Sequence, residues 1–203
     1  AIDYRLAPEH PFPAAVEDAW AAFAWTATNA LELGVDPARI AVAGDSAGAN
    51  LAAVVSLLAR AGGGAMPAMQ LLIYPPTDAA ADLPSRRLFA EGFLLTKADM
   101  DTFQACYLPP GTDAADPRAS ILLAPDLSGL PPAYVATAGF DPLRDEAEAY
   151  ALRMREAGVR VALRRHPGLI HSFANQTAIS RTARAAMLEA AGALRMGLAP
   201  VAG

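Results

Sequence analysis

The sequence predicts an α/β protein, a mostly parallel sheet flanked by helices. Short apolar runs of strand length alternate with longer amphipathic runs of helix length along most of the chain. Gly and Pro punctuate the junctions. One junction, between a strand-like and a helix-like run, reads Gly44-Asp45-Ser46-Ala47-Gly48. Strands alternating with helices imply crossover connections and hence a parallel sheet with covered faces.

Pro8 to Pro13 is an extended, proline-set loop. Ala14 to Leu33 reads as a helix, with Val16, Trp20, Phe23 and Ala24 on one face and Gly34 as its stop. Asp36-Pro37 turns the chain into a strand over residues 39–43, followed by a helix over 47–60 that Gly62-Gly63-Gly64 ends. Met69 to Tyr74 suits a buried strand. Residues 75–118 are loop-rich with one amphipathic helix near Lys97 to Tyr107. Ala133 to Ala138 is a second buried strand, Asp145 to Ala157 a helix closed by Gly158, and Val159 to Arg165 a strand followed by Pro167-Gly168. A last helix covers roughly Thr177 to Met196.

Gly44 to Gly48 is the pattern of a nucleophile elbow, the strand-turn-helix that raises a serine above the sheet of an α/β-hydrolase. The sharp turn strains the serine backbone, and glycines two residues before and after it avoid clashes with neighbouring chain. Ser46 then sits at the positive end of a helix, where the Ala47 N–H can stabilise an oxyanion. A serine hydroxyl needs a positioned base, normally a histidine oriented by a carboxylate. There are three histidines. The chain order Ser, acid, His places His10 too early. His166 belongs to a strand end, whereas His171 lies in the loop beyond the last strand, where catalytic groups of parallel sheets gather. By the same reasoning Asp141, which follows the strand at 133–138, is the expected acid. Asp145 and Glu146 read as helix N-terminal charges, and Asp45 stands on the strained turn itself.

These motifs, with Asp3-Tyr4-Arg5-Leu6-Ala7-Pro8-Glu9-His10-Pro11-Phe12-Pro13, Asp141-Pro142-Leu143-Arg144-Asp145-Glu146 and Pro167-Gly168-Leu169-Ile170-His171-Ser172-Phe173, resemble the hormone-sensitive-lipase-like, bacterial family IV esterases. The resemblance runs over nearly the whole chain. It implies carboxylester hydrolysis of short- to medium-chain acyl esters by a Ser46, Asp141, His171 triad, with no metal or cofactor. It also implies a single domain over 1–203 with a lid-like insertion at about 75–118. Phe89, Phe93, Leu94, Leu95, Met100, Phe103 and Tyr107 are its candidates to line an acyl pocket.

The family carries a His-Gly-Gly-Gly motif upstream of Asp-Tyr-Arg, and nothing here matches it; Gly62-Gly63-Gly64 follows the elbow and has no histidine before it. The expectation is therefore the C-terminal portion of an α/β-hydrolase fold with a partial lid and N-terminal strands missing. Turnover would be impaired by loss of oxyanion donors, each worth about 10²- to 10³-fold. Residues 39–43 would form an exposed edge, prone to pair with another chain as in a homodimer. A non-catalytic fragment and a binding-only relative are the alternatives, and the triad alone does not separate ester from amide substrates.

Composition narrows the partners. A net charge of −5 over 203 residues offers nothing to a phosphate backbone, so no nucleic-acid partner is expected. No apolar run reaches the length of a membrane span. One cysteine, Cys106, permits no intrachain disulfide and suits a reducing compartment. A cytoplasmic location and a small-molecule ester as partner are the resulting expectations.

Overall fold

The computed structural model describes residues 1–199 of the chain. Four strands, β1 (Val42–Asp45), β2 (Gln70–Ile73), β3 (Ala133–Phe140) and β4 (Val161–Ile170), form one parallel sheet in the order β1-β2-β3-β4. Six helices accompany them: α1 (Ala14–Thr28), α2 (Ala47–Gly62), α3 (Pro84–Leu88), α4 (Lys97–Tyr107), α5 (Arg144–Glu156) and α6 (Arg181–Gly197).

Successive strand residues point to opposite faces, and the core divides accordingly. Leu72 and Val135 pack with Val16, Phe23, Val54 and Met154 of α1, α2 and α5. Leu71, Ile73, Tyr134 and Ala136 pack on the other face against α6. Ala183, Ala186 and Ala190 recur at helical spacing on α6, and small side chains there let the helix lie close to the sheet.

Several boundaries differ from the sequence expectation. The first strand begins at Val42 rather than residue 39, because Pro37–Arg39 forms a 3₁₀ turn and the register pairs Val42 with Gln70. Helix α1 stops at Thr28, where the Asn29 backbone and side-chain N–H groups both donate to the Trp25 carbonyl. The short helix α3 was not expected; five residues opening on Pro84 carry too little periodicity to see. Strand β4 runs through Pro167-Gly168 to Ile170. It pairs with β3 alone and is an outer strand of this sheet, where a missing N–H is tolerated. The last helix starts at Arg181, after a 3₁₀ turn at Phe173–Gln176, with the Ser180 hydroxyl accepting from the Ala183 N–H.

Candidate active site

Each strand ends directly before a residue of one cluster at the carboxyl edge of the sheet. Ser46 follows β1, Tyr74 follows β2, Asp141 follows β3 and His171 follows β4. The register makes the placement exact in kind: Asp45 pairs with Ile73, and Phe140 with Ile170. Ser46 and Tyr74 are thus the next residues along one strand pair, and Asp141 and His171 along another. Open parallel sheets gather ligands at this edge.

Ser46 has φ 50° and ψ −123°, a conformation that costs a non-glycine residue about 1–3 kcal/mol. Its N–H donates to the Ile73 carbonyl at 2.9 Å, and its carbonyl accepts from the Ala49 and Asn50 N–H groups. The turn closes because Gly44 lacks a side chain. A Cβ there would overlap the Gly48 backbone and lie 2.6 Å from the Ala49 nitrogen. Gly48 is different: a Cβ on it would meet nothing within 4 Å. The expectation that both glycines avoid clashes therefore holds for Gly44 alone; what matters at Gly48 is its backbone, which Gly44 approaches.

His171 links the two strand ends. Its Nδ1 lies 2.8 Å from Asp141 Oδ2 and its Nε2 3.0 Å from Ser46 Oγ. With the proton on Nδ1, where the carboxylate accepts it, Nε2 is left to accept from the serine hydroxyl. Asp141 is fully buried, His171 is 4% exposed, and Asp141 Oδ1 accepts the Leu143 N–H at 2.8 Å. Ala47, the first residue of α2, stands beside the serine with a first-turn N–H.

The other histidines lie apart. His10 is in an exposed loop. His166 sits within β4, its ring edge-on to Phe173 and its Nε2 buried without a partner; burial lowers its pKa. Asp145 and Glu146 occupy the first turn of α5, but they do more than face its dipole. Asp145 accepts the Ser85 N–H at 2.8 Å, and the Ser85 hydroxyl donates to the Pro142 carbonyl. Glu146 accepts the Thr77 N–H at 2.8 Å and pairs with Arg86 at 2.7 Å.

A cavity of about 910 Å³ opens beside Ser46 and His171. Of the expected lining residues, Leu94, Leu95, Met100, Phe103 and Tyr107 face it. Phe89 and Phe93 do not. They pack on Phe140, Phe93 stacked at 5.3 Å between centroids, where an apolar partner on β3 outcompetes the open cavity. Tyr74 is the site residue that sequence reasoning missed; its position at the end of an apolar strand was the available signal. Among the described residues, no helix is long and apolar enough to cross a membrane.

Comparison with known proteins agrees with this fold. A family profile described as alpha/beta hydrolase fold matches residues 1–175. Carboxylic ester hydrolase LipN of Mycobacterium tuberculosis is 53% identical over 207 residues, covering 99% of this chain and 55% of that protein. Among solved structures, the carboxylesterase EstE1 from a metagenomic library superposes with a TM-score of 0.94 at 50% identity, covering 98% of this chain and 68% of that one. An esterase of Pyrobaculum calidifontis superposes with a TM-score of 0.92 at 47% identity, covering 97% and 65%. The chain spans little more than half the length of LipN.

Proposed function

The chain belongs to the alpha/beta hydrolase fold family, in its hormone-sensitive-lipase-like esterase branch, and from that premise we propose that it is a serine carboxylesterase acting on short- to medium-chain acyl esters. The observation that carries the reading is the continuous hydrogen-bond path from Ser46 through His171 to buried Asp141, opening on a largely apolar cavity. Esterases named among the relatives support the choice of ester over amide.

In this mechanism His171 Nε2 takes the Ser46 proton as Oγ attacks the ester carbonyl. The Ala47 N–H helps hold the oxyanion, and Asp141 stabilises the imidazolium that forms. His171 returns the proton to the leaving alcohol. A water molecule, activated by the same histidine, then releases the acid from the acyl-enzyme. The segment at about 75–118 serves as a lid-like insertion, with α4 forming one wall of the acyl pocket.

A fluorophosphonate probe should label Ser46 and block hydrolysis of p-nitrophenyl butyrate. Ser46→Ala and His171→Ala should each lower kcat by about 10⁶-fold, as when a triad acts as one unit. Labelling that survives Ser46→Ala would overturn the assignment. Tight ester binding by the wild-type protein without turnover would favour a binding-only relative.

A further inference from the structure

Ser46 and His171 follow strands that are not neighbours; β2 and β3 stand between β1 and β4. Their 3.0 Å contact therefore depends on something that spans the gap. Asp141 restrains His171 at Nδ1. One hydrogen bond, however, leaves an imidazole free to pivot about that contact.

Tyr74 fills this need on three counts. Its ring lies against the His171 ring, 4.6 Å between centroids and tilted by 54°. Its hydroxyl donates to Asp45 Oδ2 at 3.1 Å, on the residue just before the serine. Its backbone has φ 40°, unusual for a non-glycine residue, and is held there by its own N–H donating to the Ala136 carbonyl at 2.7 Å. Phe173 supports the ring from a second side, edge-on at 4.9 Å.

A tyrosine serving only to fill the core would need neither the strained backbone nor the hydroxyl, which phenylalanine could omit. This hydroxyl instead reaches the exposed carboxylate of the elbow. Burial and the neighbouring Asp45 charge raise the phenol's pKa far above its ordinary value, so it stays a donor.

We propose that Tyr74 is a positioning residue that clamps the His171 ring to the nucleophile elbow: its ring is the backstop for the imidazole, and its hydroxyl ties that backstop to β1. The proposal rests on His171 being the general base, as in the function proposed above. Tyr74 touches neither Ser46 Oγ nor substrate in this mechanism; it acts by keeping Nε2 aligned.

The test compares Tyr74→Leu, Tyr74→Phe and His171→Ala in the intact protein. The readouts are the far-downfield ¹H NMR resonance of the His171 Nδ1 proton, kcat and KM on p-nitrophenyl butyrate, and thermal melting. Tyr74→Leu should broaden the resonance beyond detection and lower kcat by about 10²-fold, the usual consequence of a small misplacement, with KM within about 3-fold. Tyr74→Phe keeps the ring; it should retain the resonance and lower kcat by about 5-fold, the rate equivalent of one net hydrogen bond. A Tyr74→Leu variant that melts lower yet keeps a sharp resonance and wild-type kcat would overturn the proposal. If Tyr74→Leu does not fold, Tyr74→Phe decides, and wild-type kcat there would overturn it. A resonance that persists in His171→Ala would instead refute the assignment of the base.

Discussion

At the scale of single residues, the elbow depends on an asymmetry between its two glycines. Gly44→Ala places a methyl group into backbone atoms of Gly48 and Ala49, which cannot yield as a side chain would. The expected cost is at least about 3 kcal/mol, the upper range for overpacking, with loss of serine labelling. Gly48→Ala meets open space and sits in the first turn of α2, so it should leave stability within about 1 kcal/mol. Chemical denaturation of the two variants checks the contrast. Equal destabilisation would contradict the close approach described at Gly44. The motif was legible in the sequence because its geometry is local. The roles of its two glycines were not, since only one Cβ vector points at the neighbouring turn.

At the scale of elements, one strap docks the N-terminal segment onto α1. Arg5 Nε and Nη2 grip the Asp18 carboxylate, and the Arg5 N–H donates to it as well at 2.9 Å. These contacts lower the Asp18 pKa from 3.8 to about 2. The sign follows directly. Above pH 3.8 the carboxylate is charged in folded and unfolded chains alike, and the strap's contribution is complete. As pH falls towards 2 the unfolded chain takes up the proton first, and the contribution is lost. Urea midpoints should therefore fall across that window, and Asp18→Asn should flatten this part of the profile. An unchanged slope would show that the strap carries no linkage. Element boundaries were less legible than element types. Residues 39–41 look like strand, but the register with Gln70–Ile73 sets where pairing starts. At Gly139 a Cβ would overlap the Pro167 backbone, so the register shift between β3 and β4 and the course of β4 through a proline are one joint solution. No local pattern announces a fit between segments so far apart in sequence.

At the scale of the whole molecule, Glu146 joins the segment after β2 to the helix that follows Asp141. Both its oxygens are engaged: Oε1 accepts from the Thr77 and Asp78 N–H groups, and Oε2 from Arg86. Burial pushes its carboxyl above the usual range while the guanidinium pulls it back. Removing one partner of such a pair strands the other. Arg86→Leu should cost about 3–5 kcal/mol, and Arg86→Leu with Glu146→Leu should recover part of that loss. A double-mutant cycle by denaturation measures it; strict additivity would mean the two groups do not interact. Tyr74 belongs to this scale too. Its importance lies in spanning β1 and β4, which only the assembled sheet brings together. The hydrogen-bonded group of Ser46, His171 and Asp141 was legible because its members carry motifs, and the contacts of Tyr74 were not because that residue carries none.

The strands lie side by side in the order in which they occur along the chain. Ser46 precedes His171, its proposed base, by 125 residues. At about 5–20 residues per second, translation leaves the serine without that base for roughly 6–25 s. The sheet can grow outward strand by strand during that interval, but the hydroxyl stays an ordinary alcohol until β4 docks. On the proposed assignment, Ser46 gains its base only when β4, the last strand of the described sheet, has docked. Under the proposed function, synthesis itself supplies an interval in which the serine has no base beside it.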